Sequence, residues 1–471
     1  MAKNKLSQTF NKPVKNVINI GRFTLNTRIA WLIGISLFFG SGALIYSAVQ
    51  PRTTINNPQT TNNNPIYIIN NPPLTSPGEK LSDAEKAKAQ AIVEQSRKAT
   101  EVNPNDATAW TNLGEALRRT GDLLGAQQAQ EKALQINPKL TEAKLGLALI
   151  KKDQGSTTEI SKIKQIAEDE KNAVAYHYLA YLLHEQKDFS GAEAACRKSI
   201  ALDQNRAEAH QTLGTVLFKQ GKLDSAISSF HTTIRINPNV PEPHVGLGLV
   251  LTEQGKLNDA ISSFQAALRI DPNFALTHAG LGLTQSIQGR LDDAIFSFQT
   301  ALRIDPNFAP THVGLGLILS KQKKRDSAIS SFQTALRIDP SLKGLVNPIL
   351  AEIYNDRGRA LTEQEEFDSA IESYKTAIRL DPNRAEIHVN LGLSLQGQGK
   401  LDSAISSFQT ALNINPSLAE SHAGLGFVLL QKGQKTAAKI KFKHALKLFK
   451  QQGKENTEKA KKLLEIFNQV D

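Results

Sequence analysis

Most of the chain follows a pattern of apolar and polar positions that recurs every 34 residues. The period is marked by prolines at Pro238, Pro272, Pro306 and Pro340, and again at Pro382 and Pro416. Within one period, residues 275–308, two amphipathic helical stretches alternate with turn signals. Gly289 marks the end of the first stretch, and the Asp305-Pro306 pair stops the second. Each stretch is too short to be stable alone, so successive periods should stack and share a core.

Residue size also follows the period. In residues 275–308 the first helix holds Leu281-Gly282 and the second holds Ala294 and Phe298. The same residue types recur at Leu213-Gly214, Ala226, Phe230 and Pro238, at Leu247-Gly248, Ala260, Phe264 and Pro272, and at Leu391-Gly392, Ala404, Phe408 and Pro416. This pattern resembles the tetratricopeptide repeat. The resemblance implies an all-α, right-handed superhelical solenoid of antiparallel helix pairs.

The resemblance divides the chain as follows: a leading helix (half repeat) in 81–106, repeats 1–7 in 107–342, an insertion in 343–350, repeats 8–10 in 351–452 and a capping helix in 453–471.

Three positions depart from the family pattern. Residues 141–172 lack the Ala/Phe pair and could form a strained joint, and Arg357 replaces the expected Leu. Cys196, the only cysteine, occupies a Phe position and is interpreted as a small core residue. The insertion could divide the array into two arms.

The N-terminal part has a different composition. Residues 29–49 form a run of 21 residues without a charge, long enough to span a bilayer as a helix, and they follow a basic segment, 1–28, with six Lys or Arg and no acid. Residues 50–80, rich in Pro, Asn and Thr, should be a disordered linker. The basic segment favours a cytoplasmic N-terminus, with the repeats on the opposite (periplasmic, lumenal or extracellular) side. We therefore expect a single-pass membrane protein with an uncleaved anchor.

A second interpretation of the N-terminus stays open. Ser41-Gly42-Ala43 resembles a small-residue cleavage site, and cleavage there would release a soluble secreted or periplasmic protein. The apolar run continues beyond Ala43 and is long enough to span the membrane, which favours the anchor.

The net charge of +11 is concentrated at the two ends of the chain. Eleven lysines oppose four acidic residues from Lys432 onward, so the middle is close to neutral and no nucleic-acid-binding face is expected. Five lysines of this region fall on or near one helical face: Lys435, Lys439, Lys443, Lys447 and Lys450. They could contact anionic lipid or an acidic partner, although a solubilising cap is the more common role of such a run.

Residues with catalytic chemistry are not grouped in the sequence. Histidines occupy the position of the family's aromatic residue at His210, His244, His278, His312, His388 and His422. Their 34-residue spacing along a stack does not suit a shared metal ion, so we expect them to pack between helices with one ring nitrogen bonded locally. Phosphate-binding, hydrolase and zinc-protease motifs are missing from the sequence. We expect no enzymatic activity, metal or cofactor.

The resemblance places the first helix of each pair on a concave groove. The residues expected there form an apolar strip: Val245, Leu249, Ala279, Leu283, Val313, Leu317, Val389, Leu393, Ala423 and Phe427. Exposed apolar surface on a folded protein marks a partner site, but neighbouring repeats could equally cover these side chains. We expect a membrane-anchored scaffold that binds protein or peptide segments. A non-catalytic subunit that recruits substrates to an enzyme complex is the other alternative.

Overall fold

The structure is a computed structural model that describes residues 83–156 and 158–470, with side chains from residue 89 onward. These residues divide into two compact units, here called the N-terminal unit (residues 83–314) and the C-terminal unit (residues 315–470). Within the described residues the secondary structure is entirely helical, with 22 α-helices and one short 3₁₀ helix. The expectation of an all-α fold is therefore confirmed for this part of the chain.

The N-terminal unit contains thirteen complete helices and the start of a fourteenth. They are α1 (Asp83–Val102), α2 (Ala107–Thr120), α3 (Leu123–Ile136), α4 (Thr141–Asp153), α5 (Glu159–Asp169), α6 (Ala173–Glu185), α7 (Phe189–Leu202), α8 (Ala207–Lys219), α9 (Leu223–Ile236), α10 (Pro241–Glu253), α11 (Leu257–Ile270), α12 (Ala275–Ile287), α13 (Leu291–Ile304) and α14 (Ala309–Lys321).

The C-terminal unit begins within α14 and continues through eight further helices. They are α15 (Arg325–Ile338), α16 (Lys343–Glu363), α17 (Phe367–Leu380), α18 (Ala385–Gly397), α19 (Leu401–Ile414), α20 (Ala419–Gln431), α21 (Lys435–Gln451) and α22 (Glu458–Gln469), with the 3₁₀ helix Pro340–Leu342 before α16.

The turn between the two helices of each repeat needs a residue in the left-handed backbone conformation, with a positive φ. Gly221 and Gly289 have φ values of +73° and +84°, a conformation that glycine adopts without a steric penalty. In two other repeats Lys323 and Glu365 take the same turn position with φ values of +62° and +64°. A turn without glycine is held by the packing of the helices on either side, at a cost of about 1 kcal/mol or more per strained residue.

The Gly-Leu-Gly triplets of the first helices explain how closely the helices pack. The ring of Phe264, a fully buried side chain, lies between Gly248 of its own repeat and Gly280 of the next. A Cβ atom added at Gly248 would stand 2.8 Å from Cε1 of that ring, and one added at Gly280 would stand 2.6 Å from it. Phe408 lies in the same way between Gly392 and Gly424. Each ring therefore joins two successive repeats.

The helix pairs of each unit stack with a consistent polarity. First helices of successive repeats contact one another, for example α8 with α10 and α18 with α20, whereas second helices make few contacts with each other. The first helices therefore lie closer together and face the inner side of the curve within each unit. We call the surface that they form the inner surface.

Two regions differ in detail from the sequence-based expectations. Residues 343–350 are the first turns of α16, a continuous helix that includes Pro348 and runs on to Glu363. Val346 and Leu350 are buried there, and this packing outweighs the cost of an internal proline. Residues 141–172 form two helices whose second member buries Ile163 and Ala167 in place of an Ala/Phe pair.

The predicted anchor (29–49) and linker (50–80) lie outside the described residues. Among the helices of residues 83–470, none is both long enough and apolar enough to cross a bilayer.

Candidate functional site

The inner surface has a fixed register, which locates the predicted groove residues. Each first helix from α2 to α14, and again α18 and α20, has its fifth and ninth residues at equivalent positions of the repeat, and within each unit these positions form two rows. In α10 these residues are Val245 and Leu249. All ten predicted groove residues belong to these rows.

Nine of the ten predicted residues are buried rather than exposed. Val245, Leu249, Ala279, Leu283, Val313, Leu317, Val389, Leu393 and Ala423 expose 7% or less of their surface. Phe427 is partly exposed and its ring lies 5.0 Å from that of Phe442. The apolar strip was expected to be exposed to solvent. The structure corrects this expectation, because these side chains pack against other residues and are shielded from water.

Neighbouring repeats account for part of this burial. Val389 and Leu393 belong to one core cluster with Phe408 and Leu425. Ala423 belongs to another that includes Phe442. These residues form part of the interior of the C-terminal unit. For them, coverage by neighbouring repeats is therefore favoured over contact with a partner. Contact between a partner and the remaining predicted residues stays a prediction.

The two rows also carry polar side chains in the first repeats, at Thr111 and Glu115 of α2 and at His177 and Tyr181 of α6, whereas α4 places Leu145 and Leu149 there. Glu115, the ninth residue of α2, accepts hydrogen bonds from Nε and Nη2 of Arg118 at 3.0 and 2.9 Å. Arg118 Nη1 donates to Asp153 Oδ2 of α4 at 2.7 Å. All three side chains are almost fully buried, at 2–6% exposure. One guanidinium therefore joins the first helices of two successive repeats.

Electrostatics in this cluster follow from burial and charge together. Burial alone would lower the pKa of Arg118, but the Glu115 carboxylate raises it above its ordinary value, so the guanidinium stays charged. Burial raises the pKa of Asp153, and the nearby Arg118 opposes that shift. A buried pair of this kind depends on both members, because removing one leaves an uncompensated charge.

Helix α6 continues the polar rows with aromatic and histidine side chains. His177 Nε2 lies 3.1 Å from Thr212 Oγ1 of α8, and burial lowers the pKa of His177 to about 3. The Tyr181 hydroxyl donates to Glu185 Oε1 at 2.9 Å. Lys152 Nζ of α4 lies 2.8 Å from Glu185 Oε2, and both side chains are about one-quarter exposed. This Lys152–Glu185 pair is therefore accessible to water and to a partner.

One basic residue further along the surface has a shifted pKa. Burial lowers the pKa of Lys219, near the end of α8, to about 7. Burial also raises the pKa of Glu253, the last residue of α10. The first shift favours the neutral amine of Lys219 near pH 7, and the second opposes the ionisation of Glu253.

The repeated histidines fulfil a structural role. The ring nitrogen Nε2 of His278 lies 3.0 Å from the backbone oxygen of Pro272, six residues earlier. The same contact joins His210 to Gln204, His312 to Pro306 and His388 to Pro382 at 2.9–3.2 Å. In the first repeat, Trp110 Nε1 donates a hydrogen bond to the backbone oxygen of Pro104 at 2.8 Å. The histidine rings therefore make the same contact, six residues back, as the indole of Trp110. The expected local bonding of one ring nitrogen is confirmed for these residues.

Reactive groups are few in the part of the chain that the structure describes. Cys196 is fully buried, which raises the pKa of its thiol and confirms its interpretation as a core residue. In residues 83–470, no three His, Cys, Asp or Glu side chains come together in a way that could hold a metal ion.

The polar residues that sequence reasoning missed had a detectable signal. Counting in steps of 34 from Leu249 back through the two-residue shortening leads to Thr215, Tyr181, Leu149 and Glu115. The register therefore indicates that this row varies from Glu115 through Leu149 and Tyr181 to Thr215 before it becomes apolar at Leu249. The ion pairs themselves could not be predicted, because they depend on the offset between neighbouring helices.

Comparison with protein families gives matches over much of the repeat region. A model described as TPR repeat matches residues 248–286, 358–399 and 397–433, and models described as Tetratricopeptide repeat match 97–128, 172–202, 277–308 and 309–342. A search of curated proteins gives no significant match.

Several solved structures are similar to the chain. A crystal structure of MamA is 25% identical over 35% of this chain and 95% of its own, with a TM-score of 0.30. YrrB, described as a TPR protein with an unusual peptide-binding site, is 24% identical over 38% of this chain and 91% of its own, with a TM-score of 0.29. Yeast Tom70 is 16% identical over 82% of this chain and 93% of its own, with a TM-score of 0.32. On its recurring family matches and its stacked helix pairs, the chain belongs to the tetratricopeptide-repeat family.

Proposed function

We propose that the protein is a scaffold that binds segments of other proteins on the inner surface of its repeats. The observation that carries the proposal is the stacking of first helices within each unit, which offers an extended face on which equivalent positions recur once per repeat. Repeat arrays commonly use such a face to hold extended or helical segments. The family matches at residues 248–286 and 397–433 include helices that form this face.

The polar part of the inner surface is where we place the first contacts with a partner. Lys152 and Glu185 are about one-quarter exposed and lie on adjacent first helices. Charged side chains that are partly shielded from water select a bound segment whose charges are complementary to theirs. Beyond them, the rows that contain Val245, Leu249, Ala279 and Leu283 would accept apolar side chains after local opening of the groove.

We further propose that residues 29–49 anchor the protein in a membrane as a single span. The support is the uncharged 21-residue run and the basic segment before it. The repeats would then lie on the periplasmic, lumenal or extracellular side. Cleavage near Ala43 would instead give a soluble binding protein, and N-terminal sequencing of the mature chain separates the two.

The binding proposal is tested with the full chain in neutral detergent micelles. Peptides are selected from a random displayed library, and the affinity of a selected peptide is measured by fluorescence anisotropy. In the variant K152E/E185K the ion pair between α4 and α6 is kept with its charges exchanged. We expect binding to weaken at least tenfold while the melting temperature stays within about 2 °C.

A matched control exists on the opposite side of the helix pairs. Lys222, which precedes α9, lies 2.8 Å from Glu193 of α7, so K222E/E193K exchanges an equivalent pair next to the second helices. We expect this control to bind the peptide within twofold of the unmodified protein. If the control loses binding and K152E/E185K does not, the inner surface is not the binding site.

A further inference from the structure

The last helix pair carries a second surface, distinct from the inner surface. Helix α21 contains six lysines and neither Asp nor Glu. Lys435, Lys439, Lys443 and Lys447 are spaced by four residues and so lie along one face. With Lys450 they form a positive stripe about 22 Å long, from 1.5 Å of rise per residue.

The stripe borders a hollow between α21 and α22 that is largely apolar. The hollow has a volume of roughly 400 Å³, and Lys435, Lys439, Ile440, Lys443, Phe467 and Val470 line it. The side chain of Ile440 is 55% exposed beside this hollow. Lys439 Nζ lies 5.9 Å from the centre of the Phe467 ring. We call this hollow and its lysines the basic hollow.

The sequence of α21 differs from that of most second helices at its start. Most second helices carry an acidic residue in the first turn, such as Asp224 in α9, Asp292 in α13 and Asp402 in α19. In α21 the first turn has no acidic residue and begins with Lys435. Lys435 therefore makes the start of α21 more positive than the starts of α9, α13 and α19.

We propose that the basic hollow binds an acidic helical segment of a partner protein. In this arrangement an apolar side chain of the segment enters the hollow beside Ile440 and Phe467. Carboxylates spaced by four residues on the segment face the lysine stripe. This surface is separate from the one in the proposed function, and neither requires the other.

The shape of the surface is the reason for choosing a polypeptide over a lipid bilayer. A helix that lies on a membrane inserts apolar side chains that protrude from its face. Here the apolar groups Phe467 and Val470 line a concave site, and Val470 is only 6% exposed. A concave apolar site rimmed by positive charge complements a protruding apolar side chain flanked by negative charge.

The test measures binding of a fluorescein-labelled helical peptide of 18 residues to the full chain in neutral detergent micelles. Its glutamates are spaced by four residues, with leucines beside them. We expect K439E/K443E to weaken binding at least tenfold and I440D at least threefold. Replacing the leucines of the peptide by serine should also weaken binding at least threefold.

The control variant K256E/K324E makes the same change in net charge at two exposed lysines outside α21. We expect it to bind the peptide within twofold of the unmodified protein, at the same ionic strength. Circular dichroism confirms that all variants keep their helices. An equal loss in the control, or equal binding of the serine peptide, would overturn the proposal, because either shows attraction by net charge alone.

A membrane arm completes the test. The full chain in phosphatidylcholine nanodiscs is mixed with phosphatidylglycerol vesicles and sedimented. Vesicle binding that K439E/K443E abolishes, together with no measurable binding of the acidic peptide, would show a lipid site and overturn the proposal.

Discussion

Gly280 offers a sensitive test of how the repeats are joined. Alanine in place of glycine inside a helix usually stabilises a protein by about 1 kcal/mol. Here the new Cβ atom would stand 2.6 Å from Cε1 and 2.8 Å from Cζ of Phe264. Because that ring is fully buried, it has little room to move away.

The expected magnitude follows from these two opposing effects. Overpacking a core by one methyl group costs about 1–3 kcal/mol, which outweighs the gain in helix propensity. The variant G280A should therefore lose about 1 kcal/mol of stability. Gly344, in the first turn of α16, has no neighbouring atom within 4 Å of its Cβ position. The matched variant G344A should instead gain up to about 1 kcal/mol.

The assay is native-state hydrogen exchange, which reports the opening free energy of individual helices in a repeat array. Amides of α11 and α12 should exchange faster in G280A, and those of α16 more slowly in G344A. Adding F264L should reduce the effect of G280A by about 0.5 kcal/mol or more, since the shorter side chain relieves the contact. If G280A stabilises α11 and α12 as G344A stabilises α16, the ring of Phe264 does not join the two repeats.

Three further outcomes are expected. The folded-state pKa of His177, about 3, lies below its unfolded value of 6.5, so its stabilising contribution is present above pH 6.5 and is lost as the pH falls towards 3. Between pH 7.5 and pH 5.5 the loss from His177 should be about 1.4 kcal/mol, seen by hydrogen exchange in α6. H177F should remove this part and leave the part due to His184 in the same helix, whose pKa burial lowers to about 4. H278F should cost about 1 kcal/mol through the lost bond to Pro272 whereas H278W should not, as thermal melts will show; equal melting temperatures would argue against that bond. Cys196 should not react with a thiol reagent until the protein is unfolded in denaturant, and rapid labelling of the native protein would contradict its burial.

Much of the fold was predictable from sequence because the repeat is local. Proline spacing and the Leu-Gly, Ala and Phe positions determine where helices begin, end and touch, as Phe264 between Gly248 and Gly280 illustrates. Helix α16 shows the limit of such reasoning. Pro348 signals a break, yet the burial of Val346 and Leu350 keeps the helix continuous. Tertiary packing of this kind cannot be read from local propensity.

The side chains of the inner surface were harder to predict. The period places the apolar rows on the first helices, but the burial of their side chains depends on how closely neighbouring side chains pack. The Arg118 cluster joins residues 35 positions apart, from α2 to Asp153 of α4. Such a contact depends on the offset between two helices, which a 34-residue period leaves undetermined.

The central claim is that partners bind the inner surface formed by the first helices. A peptide selected without bias and carrying a photoreactive residue can be cross-linked to the full chain, and the sites identified by mass spectrometry. The account predicts cross-links on the first helices, centred on α4, α6 and α8. Cross-links confined to second helices such as α7, α9 and α11 would contradict it.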